Sequence, residues 1–391
     1  MPEFDFTRLR RAPDVEAPNL QAWDATDELL VREALATGIR GDEIAVIGDA
    51  YGAITLALTD AGMPGIRVHQ DLVTGRRALA RNAAALGLTD GTDAARRAAA
   101  EHADGGADGP WVPTFEQHEL DERLLTGIRL VLLQLPKALA ELEEIADAIA
   151  RWAQPDVVLI AGGRVKHMSL GQNDVLGRYF AEVQPQRAER KSRLLVARGL
   201  RRPDGPPPFP VSTAHPGLTL CAYGGAFAGD RIDIGTRVLL EVLPDIRSAE
   251  VAIDLGCGTG ALAATYAMQH PASRVIATDR SAAAVRSARA TMAANGLENV
   301  TVTLDDAGSE LPVGTADLVL LNPPFHLGSA VDEAAGHRLI QAAARLTRPG
   351  GEVWTVFNSH LDHRRILQRE VGPTEQVERT PKFIVTKSTK R

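Results

Sequence analysis

Short apolar runs, glycine turns and amphipathic stretches alternate along this chain in an order that occurs twice. In the later occurrence, "VAIDLGCGTGALAATYA" predicts a strand over Val251 to Leu255, a turn carrying Gly256, Gly258 and Gly260, and a helix beyond it. "RVIATD" predicts a second strand ending at Asp279, "TLDDAGSEL" closes a third with Asp305 and Asp306, and "LVLLNPPFHL" (Leu318 to Leu327) supplies a fourth. The earlier occurrence runs "IAVIGDAYGAITLAL", "RVHQD" and "LVLLQLPKAL" (Leu130 to Leu139). Strand, turn and helix in alternation predict an α/β architecture around a parallel sheet in each half.

The two halves also resemble one another in sequence. Gly48 and Gly52 fall opposite Gly256 and Gly260, Asp71 opposite Asp279, Gln134 opposite Asn322, and Leu135 opposite Pro323. The apolar strand positions are kept, whereas Val46 stands for Asp254, Ala50 for Gly258 and Lys137 for Phe325. These replaced positions are the ones a ligand would need, so the pattern reads as an ancestral duplication whose first copy kept the fold and lost the site. "RRPDGPPPFPVSTAHPG" (Arg201 to Gly217) is dense in Pro and Gly and is expected to link a first domain, 1–200, to a second, 218–391. A stretch rich in Asp, Gly and Ala, about Thr89 to Asp121, is expected to be a surface excursion from the first copy.

The length of 391 residues suits two domains at about 100–200 residues each. No run of about 18 apolar residues is present and the first residues lack a signal-peptide core, so a soluble cytoplasmic protein without membrane contact is expected. Cys221 and Cys257 offer neither a disulfide framework nor a structural zinc site, and no metal is expected. The formal charge of −7 argues against a protein that coats nucleic acid by bulk electrostatics. A local basic surface remains, in Arg187, Arg190, Lys191, Arg193, Arg198, Arg201 and Arg202, and as an RNA-holding face it competes with an ordinary solvated one.

A glycine turn after the first strand lets a ligand approach the backbone, and an acid ending the second strand suits ribose hydroxyls. The run here is G-x-G-x-G preceded by an acid, not the G-x-G-x-x-G of dinucleotide sites. An acid at the turn suits a cationic amino group and repels a diphosphate, which favours S-adenosylmethionine over a nicotinamide cofactor. Asp254 is then expected near the methionine moiety, Gly256, Cys257, Gly258 and Gly260 under the adenosine, Asp279 with Arg280 beside it at the ribose, and Asp306 at the adenine amine. Asp305 and Asp306 also fit an ordinary turn.

"NPPF" then acquires a chemical use. A planar exocyclic amine is a poor nucleophile because its lone pair is delocalised. The amide oxygen of Asn322, which also borders the cofactor, and the carbonyl of Pro323 can accept its two hydrogens and turn the lone pair toward a methyl donor. Pro323 and Pro324 stiffen the loop, and Phe325 can stack on the substrate ring. His326 is adjacent, more as a positioning residue than a base, while Phe227 and Asp233 of "AFAGDRIDIGTRVLL" are placed to close over the site. A helix cap is the competing role for Asp233.

With "LQAWDATDELL", "LPKALAELEE", "IAGGRVKHMS", "AFAGDRIDIGTRVLLEVLP", "DLGCGTGALA", "NPPFH" and "NSHLDHRRIL", the chain resembles the ribosomal RNA guanine-N2 methyltransferases over nearly its whole length. It is most similar to the branch acting on large-subunit RNA. The resemblance implies two tandem Rossmann-like class I methyltransferase domains, the N-terminal one degenerate. It also implies methyl transfer from S-adenosylmethionine to the exocyclic amine of one guanine, with Asn322, Pro323, Pro324 and Phe325 at the reacting centre. A base entering such a site must be unstacked, which points to a loop, bulge or end of the RNA. A duplicated chain carries an internal pseudo-dimer, so a monomer is expected. "NPPF" by itself also fits a small-subunit RNA enzyme, a protein glutamine methyltransferase and a DNA adenine methyltransferase; the non-enzymatic alternative is an RNA-binding assembly factor.

Overall fold

The computed structural model describes residues 4–17, 19–88, 114–323 and 330–391. The chain divides into two units, Met1–Pro208 and Phe209–Arg391.

In the first unit, β1 (Ile44–Ile47), β2 (Ile66–His69), β3 (Phe115–Gln117), β4 (Leu130–Gln134), β5 (Val158–Arg164), β6 (Phe180–Pro185) and β7 (Ser192–Leu200) form one sheet in the order β3-β2-β1-β4-β5-β7-β6. In the second, after the hairpin of β8 (Val211–His215) and β9 (Leu218–Ala222), the sheet is built from β10 (Val251–Leu255), β11 (Arg274–Asp279), β12 (Val300–Leu304), β13 (Ala316–Leu321), β14 (Thr347–Asn358), β15 (Thr374–Arg379) and β16 (Phe383–Thr389). Its order is β12-β11-β10-β13-β14-β16-β15, the same topology strand for strand. In both sheets the first five strands run parallel, and the last two form an antiparallel edge. The expected duplication is therefore present in the fold.

Each central strand is buried on both faces, and each unit has one apolar cluster on either side of its sheet. That is why these strands read as continuous apolar runs instead of alternating ones. Strand order reverses between β10 and β13, and between β1 and β4, which is where open α/β sheets present a crevice for ligands. In the second unit Leu255 pairs with Leu321, so Gly256 and Asn322 leave adjacent strands at the same level.

Two expectations about the chain's organisation need correction. The stretch 201–217 contains the division between units, but its second part is not linker: Val211–His215 pairs with Leu218–Ala222. The excursion from the first copy ends before Phe115, because Phe115–Gln117 is the edge strand beside β2 and Phe115 is buried.

The hairpin is fastened to helix Ala282–Ala294 through side chains. The backbone N–H groups of Thr219, Cys221 and Tyr223 donate to Asn295 Oδ1 (2.9 Å), Thr291 Oγ1 (3.0 Å) and Ser287 Oγ (2.9 Å). Four residues of helix rise about 6 Å and two residues of strand about 6.8 Å, so acceptors spaced by four on the helix meet donors spaced by two on the strand.

Candidate active site

The loop after β10 takes its shape from three glycines in the left-handed region, Gly256 (φ +79°), Gly258 (φ +54°) and Gly260 (φ +82°). They serve two purposes. A Cβ at Gly256 or Gly258 would meet nothing within 4 Å, leaving open space over the loop, whereas one at Gly260 would lie 2.7 Å from Met292 Cε and 3.1 Å from Ala288 Cβ. Gly260 thus permits close packing of two helices, and the other two leave room for a ligand. Asp279 Oδ2 accepts from Gly258 N–H (2.9 Å) and Oδ1 from Ser281 N–H (2.9 Å), so the expected ribose carboxylate also holds the loop in shape. Arg280, next to it, is exposed.

Asp254 is buried, and its Oδ2 accepts from Ala263 N–H (2.9 Å) at the start of helix Ala261–Gln269, which Gly260 cannot cap by a side chain. Burial, with Asp279 nearby, pushes its carboxyl up to about 7. The Cys257 thiol is also buried and pushed well up, so it stays neutral. In the first unit, where Val46 replaces Asp254, the cap has moved into the loop. Asp49 accepts from Gly52 N–H, Thr55 N–H and Thr55 Oγ1 (2.8–3.0 Å), and Gly48 faces Gln134 where Gly256 faces open space. Gln70 Nε2, from the end of β2, donates to the Asp49 carbonyl (2.9 Å), and Ala50 stands at the middle glycine, so that loop is closed by Asp49 together with Gln70 and Gln134.

Asn322 follows β13, and its amide is held at one end. Nδ2 donates to Thr236 Oγ1 (2.8 Å) and to Asp233 Oδ2 (3.3 Å). Asp233 caps helix Ile234–Val242 through Gly235 N–H (2.9 Å) and Thr236 N–H (3.4 Å), so the cap reading of Asp233 is correct and the same carboxylate also touches Asn322. A carboxylate only accepts, which fixes the amide with its NH2 toward Asp233 and Oδ1 away. Oδ1 is buried and has no hydrogen-bond partner among the described residues. Gly235 carries no Cβ, which would lie 3.2 Å from that oxygen.

Of the other expected residues, Asp306 is ion-paired with Arg338, and Asp305 is the turn residue, accepting from Ser309 Oγ (2.5 Å) and Glu310 N–H (2.8 Å). Phe227 is 64% exposed and lies between β9 and helix Ile234–Val242. Pro323 is buried, and Pro324, Phe325 and His326 lie outside the described residues.

The residue pattern is matched by known proteins. The RLMG N-terminal domain model matches residues 2–104 and 113–200, and the Methyltransferase small domain model matches 217–387. A protein named ribosomal RNA large subunit methyltransferase G from Ectopseudomonas mendocina is 34% identical over 99% of this chain and 98% of its own length. Its namesake from Streptomyces avermitilis is 32% identical over 98% of this chain and 97% of its own. This chain belongs to the ribosomal RNA large subunit methyltransferase G family. The fold is shared with a Thermus thermophilus 16S rRNA N2 G1207 methyltransferase, solved with AdoMet and guanosine, at a TM-score of 0.72, 19% identity and coverage of 96% of this chain and 97% of that one.

In this family member the basic segment is less available than its sequence suggests. Arg190 is ion-paired with Glu28, and Arg193 has its Nε buried without a partner among the described residues. Arg187 and Lys191 at the turn between β6 and β7 are exposed. A cavity of about 460 Å³ in the first unit, lined by Arg10, Arg11, Glu16 and Trp23 among others, contains none of the expected site residues. Both cysteines are free and buried, and among the described residues there is no cluster of metal-ligating side chains and no helix long and apolar enough to cross a membrane. Sequence reasoning missed Gly235 and Thr236; their signal was the capping Asp233 followed two and three residues later by a glycine and a hydroxyl.

Proposed function

We propose that this protein is an S-adenosylmethionine-dependent methyltransferase that modifies the exocyclic N2 amine of a guanine in large-subunit ribosomal RNA. The observation that carries the reading is Asn322 Oδ1, buried and unpartnered among the described residues at the end of β13, level with a glycine loop that leaves open space. The residues present fit the cofactor: Gly256 and Gly258 make room for it, the Asp279 carboxylate lies beside that loop as an acceptor for ribose hydroxyls, and Asp254 is a buried carboxyl that a cationic group would draw into its ionised form.

When bound, S-adenosylmethionine supplies an electrophilic methyl on a sulfonium. Asn322 Oδ1 and the Pro323 carbonyl accept the two hydrogens of guanine N2, which localises the nitrogen lone pair and aims it. The N–C bond forms as the C–S bond breaks, its electron pair staying on sulfur, and the proton made acidic at N2 leaves to water. No strong base is needed. Phe325 stacks on the guanine, with Pro324 stiffening the loop and His326 positioning the base. Phe227, exposed before the capped helix, covers the site from the other side. Arg187 and Lys191, more than Arg190 and Arg193, hold the RNA backbone, and the closed first copy acts as a binding surface. The enzyme works as a monomer in the cytoplasm, where ribosomes are.

The test is incubation with labelled S-adenosylmethionine and, separately, large-subunit RNA, small-subunit RNA and a release factor, followed by digestion to nucleosides or amino acids. Label in N2-methylguanosine from large-subunit RNA is expected. Label in small-subunit RNA would move the substrate, and label in glutamine would overturn the RNA reading.

A further inference from the structure

We propose that Thr236 is the positioning residue that sets which way round the Asn322 amide is presented, an inference that rests on the methyl-transfer reading above. The two ends of an asparagine amide are nearly the same size and opposite in hydrogen-bonding sense. Presented correctly, Oδ1 accepts from the substrate amine. Turned by half a rotation, the NH2 meets another NH2, and the acceptor is lost.

Two contacts fix the choice here. The nearer is Thr236 Oγ1 at 2.8 Å, and the carboxylate of Asp233 lies farther off at 3.3 Å. Both acceptors come from the first turn of helix Ile234–Val242: Asp233 is its cap and Thr236 its third residue. The backbone there is pinned because the cap takes the N–H groups of Gly235 and Thr236. Thr236 Oγ1 is thus held in place, and the amide end it holds is held with it.

The first copy provides an independent instance. There Asp24 caps helix Ala25–Thr37, and the third residue is Asp27. Gln134, the counterpart of Asn322, donates from Nε2 to Asp27 Oδ1 at 2.5 Å. The copies differ at most positions a ligand would touch, yet both tie the strand-end amide to the third residue of a capped helix. Where the amide is Asn322 that residue is a hydroxyl, which accepts from Nδ2 without placing a second carboxylate beside Asp233. Where the amide is Gln134 it is an acid, and burial pushes Asp27 up to about 8.

The experiment compares the full-length protein with Thr236→Val, Thr236→Ala and Thr236→Ser. Steady-state transfer to large-subunit RNA, S-adenosylmethionine affinity by calorimetry and the thermal midpoint are measured for each. In parallel, the side-chain NH2 signals of Asn322 are followed in protein labelled with ¹⁵N at asparagine, assigned by their loss in Asn322→Asp. Thr236→Val and Thr236→Ala are expected to lower kcat about 10- to 100-fold, as for a reacting group misplaced by a fraction of an ångström, with KM and cofactor affinity within about 3-fold. Thr236→Ser restores kcat. The Asn322 NH2 protons exchange slowly with solvent in the wild type and the serine variant, and faster in the other two. Unchanged kcat in both the valine and alanine variants overturns the proposal, as does fast NH2 exchange in the wild type. If the valine variant does not fold, the alanine variant and the wild-type exchange rates still decide. If the wild type forms no N2-methylguanosine, the functional reading fails separately, while the exchange rates continue to test how the amide is held.

Discussion

Three glycines in one loop, all with positive φ, allow ligand contact and packing to be separated by substitution. Alanine at Gly258 or Gly260 pays a left-handed backbone cost of about 1 kcal/mol. At Gly258 nothing further is added, because the new Cβ has open space. At Gly260 the Cβ meets Met292 Cε at 2.7 Å and Ala288 Cβ at 3.1 Å. The methionine end can swing aside, but the alanine sits on a helix, so overpacking adds about 1–3 kcal/mol and the total reaches about 2–4 kcal/mol. Urea unfolding should therefore place Gly258→Ala close to wild type and Gly260→Ala well below it. Calorimetry with S-adenosylmethionine should invert that ranking: Gly258→Ala, folded, loses at least about 100-fold in affinity because its methyl takes the ligand's room. Gly52→Ala in the first copy, where the Cβ would lie 2.5 Å from Leu79 Cδ1, is the control; it should lower stability and leave cofactor affinity unchanged. A Gly258→Ala protein that binds the cofactor within about 3-fold of wild type, under about 1 kcal/mol, would refute the idea that a ligand lies over this loop.

Other outcomes follow from the buried acids and the basic turn. Asp254, held up to about 7, must ionise to attract the cationic cofactor, so affinity should rise by up to about tenfold per pH unit as pH increases toward 7 and release protons measurable as buffer-dependent heat; flat affinity would exclude Asp254 as its partner. Asp27, held up to about 8, binds a proton in the fold that the unfolded chain has already lost above about pH 4, so stability falls as pH rises from there to about 8, by a few kcal/mol. Asp27→Asn should flatten that slope in urea unfolding, and an unchanged slope would mean that other groups set it. Neutralising Arg187 and Lys191 together should weaken RNA binding and reduce its salt slope by about 1–2, whereas an unchanged slope would remove this turn from the RNA surface.

The parts of this molecule legible in its sequence are those written by local chemistry. Strands buried on both faces leave long apolar runs, and left-handed turns require glycine, so β10 to β13 and their loops could be read directly. β3 escaped because three residues beside a long Asp- and Ala-rich stretch carry too short a pattern. The hairpin at Val211 to Ala222 escaped because "PPPFP" just before it dominated the composition, while its register is set by Asn295, Thr291 and Ser287, more than sixty residues away. The same holds at the site. Asn322 was marked by its motif, but its orientation depends on Thr236, 86 residues earlier. The move of a cap from Asp254 to Asp49 appears in sequence only as two unrelated substitutions.

The helix that receives β9 acts as an index stop. Because its acceptors come every fourth residue and the strand's donors every second, β9 can seat only in steps of two residues; a shift by one turns each N–H away and exchanges its inner and outer side chains. That helix begins just after Asp279 and Arg280, and β9 leads through Phe227 to Asp233. The distance along the chain from the last anchored donor, Tyr223, to the cap that grips Asn322 is therefore metered at one end by the helix and at the other by the cap. Length changes before Asp230, which Thr213 and His215 hold to the hairpin, can be absorbed between Gly224 and Gly229, whereas a single residue added inside Leu218 to Ala222 has no slack to take it up. The segment after Tyr223 can therefore change in length while the position from which it starts stays quantised.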